Sequence, residues 1–283
     1  MTTDQAAAGR LRDKVCVVTG AGSGIGRAMA MRFAAAGMKL VLVDIERGAL
    51  DAVAAELGGD ADRVLDVRAD VASMEEMNGL RDAALERFGR VDVVCLNAGV
   101  APVGGLLETT LEVWEWVIDV NLRGVFYGAK AFGPVLAEQG SGHIVCTASV
   151  AGLMDATTLN AYGTSKHAVV GLASALRGEL AAFGVGVSVL CPGLINTKIF
   201  ESERNRPGGM DDPSQDNPMS KQLRDLISTQ GVSPDQVAGV VHQAVLDNQF
   251  FVFPTSDLDE MVQSRITALQ QGLAWRDSLD VPH

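Results

Sequence analysis

The chain has 283 residues, 47% of them hydrophobic and 20% charged, with 23 Lys and Arg against 35 Asp and Glu, a formal net charge of −12. That length and apolar content can bury a large core and exclude a mainly disordered protein. The acidic balance runs along the whole chain and excludes nucleic-acid binding through a basic surface, which needs Lys and Arg against phosphates.

Residues 1–12 are expected to be a flexible N-terminal segment. The first 14 residues (MTTDQAAAGRLRDK) lack an apolar stretch, so no secretory signal is expected and the cytoplasm is the expected compartment. A strand at 14–19 leads into Thr19-Gly20-Ala21-Gly22-Ser23-Gly24-Ile25-Gly26 and a helix at 25–36. The spacing G-x-G-x-x-G does not fit this loop; T-G-x-x-x-G-x-G does. Glycines between a strand and a helix permit a tight turn and let backbone amides approach a pyrophosphate. The second strand, 40–43, is followed by Asp44, 18 residues past Gly26. A carboxylate there can accept bonds from an adenosine ribose and repels a 2′-phosphate, which favours NAD over NADP.

Further strands are expected at 64–67, 93–96, 143–147, 186–191 and 250–253, apolar on both faces as in a covered parallel sheet. Helices are expected at 74–88, 111–135, 161–183, about 234–246, and from 257 to about 275. Repeated strand–helix alternation predicts α/β architecture: a doubly wound, Rossmann-type parallel sheet in a three-layer αβα domain spanning 13–256. The uncharged run 180–197 contains Gly184, Gly186, Pro192 and Gly193, so it reads as a helix end, turn and strand rather than a membrane span. Residues 194–233, rich in Pro, Gly, Asp and Asn, read as a substrate lid after the sixth strand, with Ile199, Phe200, Met210, Met219, Arg204 and Arg206 available to a ligand. In the 257–283 helix and tail, Leu258, Met261, Val262, Ile266, Leu269 and Leu273 share a stripe expected to dock on the domain or on a neighbouring subunit. Trp114 and Trp116 are expected to pack on different sides of their helix. Cys16, Cys95, Cys146 and Cys191 read as buried strand thiols, and the scattered His143, His167, His242 and His283 show no metal spacing, so no metal is expected.

Tyr162 and Lys166 stand at i and i+4 of the 161–183 helix and share one face. A phenol titrates near 10, so a tyrosine working as a base at neutral pH needs a neighbouring cation, which Lys166 can supply.

With that pair, the chain resembles the short-chain dehydrogenase/reductases from about 14 to 197. The resemblance rests on Thr19-Gly20-x-x-x-Gly24-x-Gly26, Asp70-Val71, Asn97-Ala98-Gly99, Asn121, Ser149, Tyr162-x-x-x-Lys166 and Pro192-Gly193 with Thr197, in the family's order and spacing. It implies a dehydrogenase of a secondary alcohol, or the reverse ketone reductase, using NAD. The loop residues Gly20, Ser23, Gly24, Ile25 and Gly26 would bind the cofactor, with Asp44 at its ribose and Asp70 and Val71 at its adenine. Asn97, Ala98 and Gly99 would form a floor beneath it. Leu96 departs from the family, which often has a second Asn there. Ser149 would hold the substrate oxygen, Tyr162 would move the proton, and Lys166 would hold the nicotinamide ribose and lower the Tyr162 pKa. Asn121 would anchor a water leading to Lys166. Pro192, Gly193, Ile195 and Thr197 would line the nicotinamide end, with Met154 and Asp155 close to substrate. The expected partner is a small apolar or aromatic alcohol or ketone, with no nucleic acid and no membrane, in a homotetramer. The alternatives are a catalytically inactive NAD-binding interaction protein, an NADP-dependent carbonyl reductase, and an isomerase or dehydratase using the cofactor transiently.

Overall fold

A computed structural model describes residues 9–207 and 218–279. Positions 1–8 of the expected flexible segment, Met210 and His283 lie outside them. In chain order the elements are β1 (Val15–Thr19), α1 (Gly24–Ala35), β2 (Lys39–Asp44), α2 (Arg47–Glu56), β3 (Val64–Arg68), α3 (Met74–Phe88), β4 (Val93–Leu96), α4 (Leu111–Ile118), α5 (Gly124–Gln139), β5 (Gly142–Thr147), α6 (Asn160–Ala181), β6 (Val185–Leu190), α7 (Pro218–Gln230), α8 (Pro234–Asp247), β7 (Phe251–Val252) and α9 (Asp259–Asp277).

The strands form a parallel sheet in the order β3-β2-β1-β4-β5-β6-β7. Both faces are covered, which is why these strands read as continuous apolar runs. On one face Val15, Val17, Val41 and Val43 pack with Met77, Leu80, Phe132, Leu136 and Val169 of α3, α5 and α6. On the other, Cys16, Val18, Leu40 and Leu42 meet Met29, Phe33, Leu50, Val237 and Val241 of α1, α2 and α8. All four cysteines are buried and free. The chain winds outward from β1 to β3, then returns to place β4 on β1's other side. The carboxyl ends of β1 and β4 therefore part at a topological switch point, where ligands of doubly wound sheets bind.

Local signals set the helix ends. Ser73 caps α3 by accepting from the Glu76 amide, and Gly89 ends it with φ 72°. Ser233 and Gln236 form a reciprocal capping box on α8, with Pro234 in its first turn.

The structure departs from several expectations. The 111–135 helix is broken by a π turn at Asp119–Arg123, which carries Asn121; helical periodicity runs through such a turn unmarked. The 194–233 stretch, in which no helix was expected before 234, carries regular structure. It holds a 3₁₀ turn at Ile199–Asn205, the helix α7, and a bridge pairing Ile195 with Val232. The polar composition hid α7, whose Leu223, Leu226 and Ile227 fall at helical spacing. Of the two surfaces expected to receive the last helix, its own domain takes little of it: none of its residues is buried and Ile266, Leu269 and Leu273 are exposed, while Met261 borders the cavity and Arg265 pairs with Asp155. Within the segment expected to be flexible, Leu11 is buried in the core against α1 and β2 residues. The two tryptophans pack together in one cluster with Val100, Val117 and Ala161, Trp116 buried and Trp114 half-buried. Among the described residues no helix is long and apolar enough to cross a membrane, and no group of three or more His, Cys, Asp or Glu could hold a metal ion.

Candidate active site

The carboxyl ends of β1, β2, β4, β5 and β6 open into one cavity of about 870 Å³. Of the sequence-derived site residues, Gly20, Ser23, Gly24, Ile25, Asp44, Asp70, Val71, Asn97, Ala98, Gly99, Ser149, Tyr162, Lys166, Pro192, Gly193, Ile195 and Thr197 all line it. Gly26 and Asn121 do not; they support the residues that do.

At the β1–α1 turn, Gly24 adopts φ +51°, a conformation that L side chains rarely adopt. Gly26 lies so close to the returning chain that a Cβ there would sit 2.0 Å from the Gly20 carbonyl oxygen. Ser23 stands at the N-cap of α1 in extended backbone, and its hydroxyl makes no capping bond, so the first amides of α1 have no side-chain cap. Such an amide-rich helix start suits a phosphate.

The floor is held by Thr19. Its Oγ1 accepts from the amides of Asn97 (2.9 Å) and Ala98 (3.1 Å), while the Asn97 side-chain amide donates to the Thr19 carbonyl (3.1 Å). Asp44 at the end of β2 is oriented by two backbone amides, Gly22 N–H at 2.8 Å and Glu46 N–H at 3.0 Å. Asp70 accepts from the Ala72 amide at 2.9 Å.

At the other end of the cavity, Ser149 Oγ donates to the Pro192 carbonyl (3.3 Å) and accepts from the Ala151 amide (3.1 Å). Lys166, 3% exposed, donates to the Thr147 carbonyl at 2.9 Å, and its Nζ lies 5.5 Å from the centre of the Tyr162 ring. Burial pushes the ammonium pKa down to about 8. Burial likewise raises the Tyr162 phenol above its usual 10, opposed by the Ser149 hydroxyl, which lowers it. This departs from the expected depression of Tyr162 by Lys166: desolvation sets the direction, and Nζ donates to the Thr147 carbonyl instead. Asn121 is fully buried on the π turn. It accepts from the Val100 amide (2.8 Å) and donates to the Val100 carbonyl (2.9 Å) and Ser165 Oγ (3.0 Å). Gly99 is wedged between Asn121 Oδ1 and Lys166 Nζ, both within 3.4 Å of where its Cβ would be.

The remaining wall comes from Met154, Leu159, Phe200, Leu223, Leu226 and Met261. The α7 leucines and Met261 of the last helix were not expected there; only helical spacing in 218–230 could have pointed to the former. Met219 is not part of this wall. Arg204 and Arg206 do line it, each paired with a carboxylate, Glu46 and Glu203 respectively.

A parallel sheet with a glycine turn, a strand-end acid and a Ser–Tyr–Lys group around one cavity defines an oxidoreductase of the Rossmann type. The chain belongs to the short-chain dehydrogenase/reductase family, whose short chain dehydrogenase model matches residues 14–208. It is 39% identical over 251 residues to a 1-deoxy-11-beta-hydroxypentalenate dehydrogenase of Streptomyces arenae, covering 86% of this chain and 83% of that one. A dehydrogenase/reductase of CLA biosynthesis from Lactiplantibacillus plantarum is 32% identical over 264 residues, covering 90% and 92%. A family member from Burkholderia phymatum, solved in complex with NAD, superposes with a TM-score of 0.87 at 37% identity, covering 93% of this chain and 96% of that one.

Proposed function

We propose that the protein is an NAD-dependent dehydrogenase of a secondary alcohol, or the reverse ketone reductase, acting on a small apolar or aromatic substrate as a cytoplasmic homotetramer. The observation that carries this reading is the union of Ser149, Tyr162 and Lys166 with the glycine turn and Asp44 around one cavity. The residues fit the cofactor: Gly24 holds a left-handed turn on the cavity lining just before a helix start without a side-chain cap, and an acid at Asp44 would repel a 2′-phosphate. Gly20, Ser23, Gly24 and Ile25 would hold the pyrophosphate, Asp70 and Val71 the adenine, and Asn97, Ala98 and Gly99 the underside. Pro192, Gly193, Ile195 and Thr197 would border the nicotinamide. When bound, NAD accepts the hydride and supplies the redox chemistry.

The chain's own residues handle the proton. The Ser149 hydroxyl orients the substrate oxygen, and the Tyr162 phenolate removes its proton in the oxidising direction and returns it in the reducing one. Because burial holds the phenol above 10 in the protein alone, Lys166 and the positive charge of the oxidised nicotinamide together must lower it. Asn121 fixes Val100 and Ser165 behind this group. An NADP-dependent carbonyl reductase is the competing reading, and Asp44 weighs against it.

The experiment is a panel of neutral apolar and aromatic secondary alcohols and ketones, run with both cofactors and followed by nicotinamide absorbance. Turnover with NAD(H) and at least about a tenfold preference over NADP(H) is expected. A wide preference for NADP(H) rejects the cofactor assignment, and inertness throughout the panel in a protein that binds NAD rejects catalysis.

A further inference from the structure

Glu46 begins just past β2, two residues beyond Asp44, and its carboxylate is gripped by residues 158 and 159 positions away. Arg204 Nε and Nη2 donate to Glu46 Oε1 at 3.0 and 2.8 Å, and Asn205 Nδ2 donates to the same oxygen at 2.8 Å. Both partners belong to the 3₁₀ turn Ile199–Asn205. Arg204 is further held by the Glu201 carbonyl at 2.9 Å. The turn itself is pinned on the far side of the site, where buried Ser202 accepts from the Ala101 amide at 2.9 Å. It therefore spans from the loop after β4 to the loop after β2, across the switch point.

Glu46 and Arg204 face two spaces at once. They line the main cavity with Asp44, and they also line a second depression of about 740 Å³ together with Gly22, Ser23, Gly24 and Thr197. A contact with space on both sides, beside the glycine turn, is a bar across an opening rather than part of a wall. The other arginines at this end are already committed elsewhere: Arg27 to Glu56, Arg47 to Asp51 and Asp66, and Arg68 to Glu76. The side-chain hydrogen bonds to Glu46 come from the 199–205 turn, and Lys198 just before it adds a second positive charge.

We propose that Glu46, Arg204 and Asn205 form a clasp that closes over the adenosine half of a bound nicotinamide dinucleotide, so that opening the clasp sets the rate at which cofactor leaves. This rests on the dinucleotide-binding reading above. Glu46 and Arg204 are positioning residues in this role: they hold the turn and leave the reacting atoms to Tyr162 and Ser149. A pair about one-third exposed is weak and salt-sensitive, as a clasp that opens at each turnover must be.

The test is stopped-flow release of NADH from the preformed binary complex, followed by fluorescence, for wild type, Glu46→Gln, Arg204→Met, Asn205→Ala and the Glu46→Gln/Arg204→Met double variant. Each single change at Glu46 or Arg204 is expected to speed release about twofold to fivefold, the range for one partly exposed ion pair. The double variant should be no faster than the faster single one, because both break one contact. Added KCl should accelerate release from wild type more than from either single variant. The loss should fall on the cofactor dissociation constant and KM rather than on kcat. Release unchanged in both singles, effects that multiply in the double variant, or a salt response of equal size in all the proteins overturns the clasp; Asn205→Ala supplies the same readout should Arg204→Met not fold. A wild type that binds NADPH and not NADH overturns the NAD reading while the same variants, measured with NADPH, still decide the clasp. A wild type that binds neither overturns both.

Discussion

Lys166→Met should make the protein inactive and more stable at the same time. The ammonium sits 3% exposed where burial has pulled its pKa from 10.5 to about 8. With each pKa unit equal to about 1.4 kcal/mol, holding the charge at neutral pH costs the fold about 3 kcal/mol relative to an unfolded lysine. Methionine fills a similar volume without charge, but it leaves the Thr147 carbonyl without the bond that Nζ donates at 2.9 Å. An unpaired buried acceptor costs about 1–2 kcal/mol, so the net gain at pH 7 is about 1–2 kcal/mol. That corresponds to a rise in Tm of about 2–6 °C for a chain of this size. The pH dependence separates this cause from better packing. Below pH 8 the lysine is charged in both folded and unfolded states, and its full cost is present. Between about 8 and 10.5 the folded lysine is neutral while the unfolded one is still charged, so the cost fades and wild type catches up. Thermal unfolding of both proteins at pH 7 and pH 10 is the assay, since other titrating groups cancel in the difference. A variant less stable than wild type at pH 7, or a difference independent of pH, refutes the reasoning.

Two further outcomes follow from particular contacts. Gly26→Ala places a Cβ 2.0 Å from the Gly20 carbonyl oxygen, backbone that cannot move without opening the turn; a loss of about 3 kcal/mol or more, with weakened NADH binding, is expected from thermal melts and fluorescence titration. His143 is buried with its Nε2 2.8 Å from Ser188 Oγ, and burial lowers its pKa from 6.5 to about 4. Its folded pKa is below its unfolded one, so stability falls as pH drops from about 6.5 to about 4, by about 3 kcal/mol in all, and His143→Gln should flatten that limb in denaturant titrations at pH 7 and 4.5.

Much of the sheet was legible because each strand is buried on both faces, so Val15–Thr19 or Val93–Leu96 read as unbroken apolar runs. The glycine turn and the Tyr162–Lys166 pair were legible because their chemistry is written in local spacing. What stayed hidden depends on partners distant in sequence or on the environment. Nothing local marks the π turn that turns Asn121 toward Val100 and Ser165, since apolar periodicity continues through Asp119–Arg123. The Glu46–Arg204 contact joins two polar stretches 158 residues apart. The stripe of α9 could be read as apolar, but spacing does not say what covers it, and Met261, Ile266, Leu269 and Leu273 are exposed. The Tyr162 phenol was expected to be lowered by its lysine neighbour; only three-dimensional burial reveals that desolvation dominates.

The central claim is that Tyr162 moves the proton of the oxidised alcohol. Its most direct test is turnover of Tyr162→Phe with NAD and an alcohol that wild type oxidises, alongside NADH titration of the same preparation. Loss of a positioned general acid–base should lower kcat by about 100-fold or more while cofactor binding stays within about threefold of wild type. Turnover within about tenfold of wild type, with cofactor still bound, would contradict it.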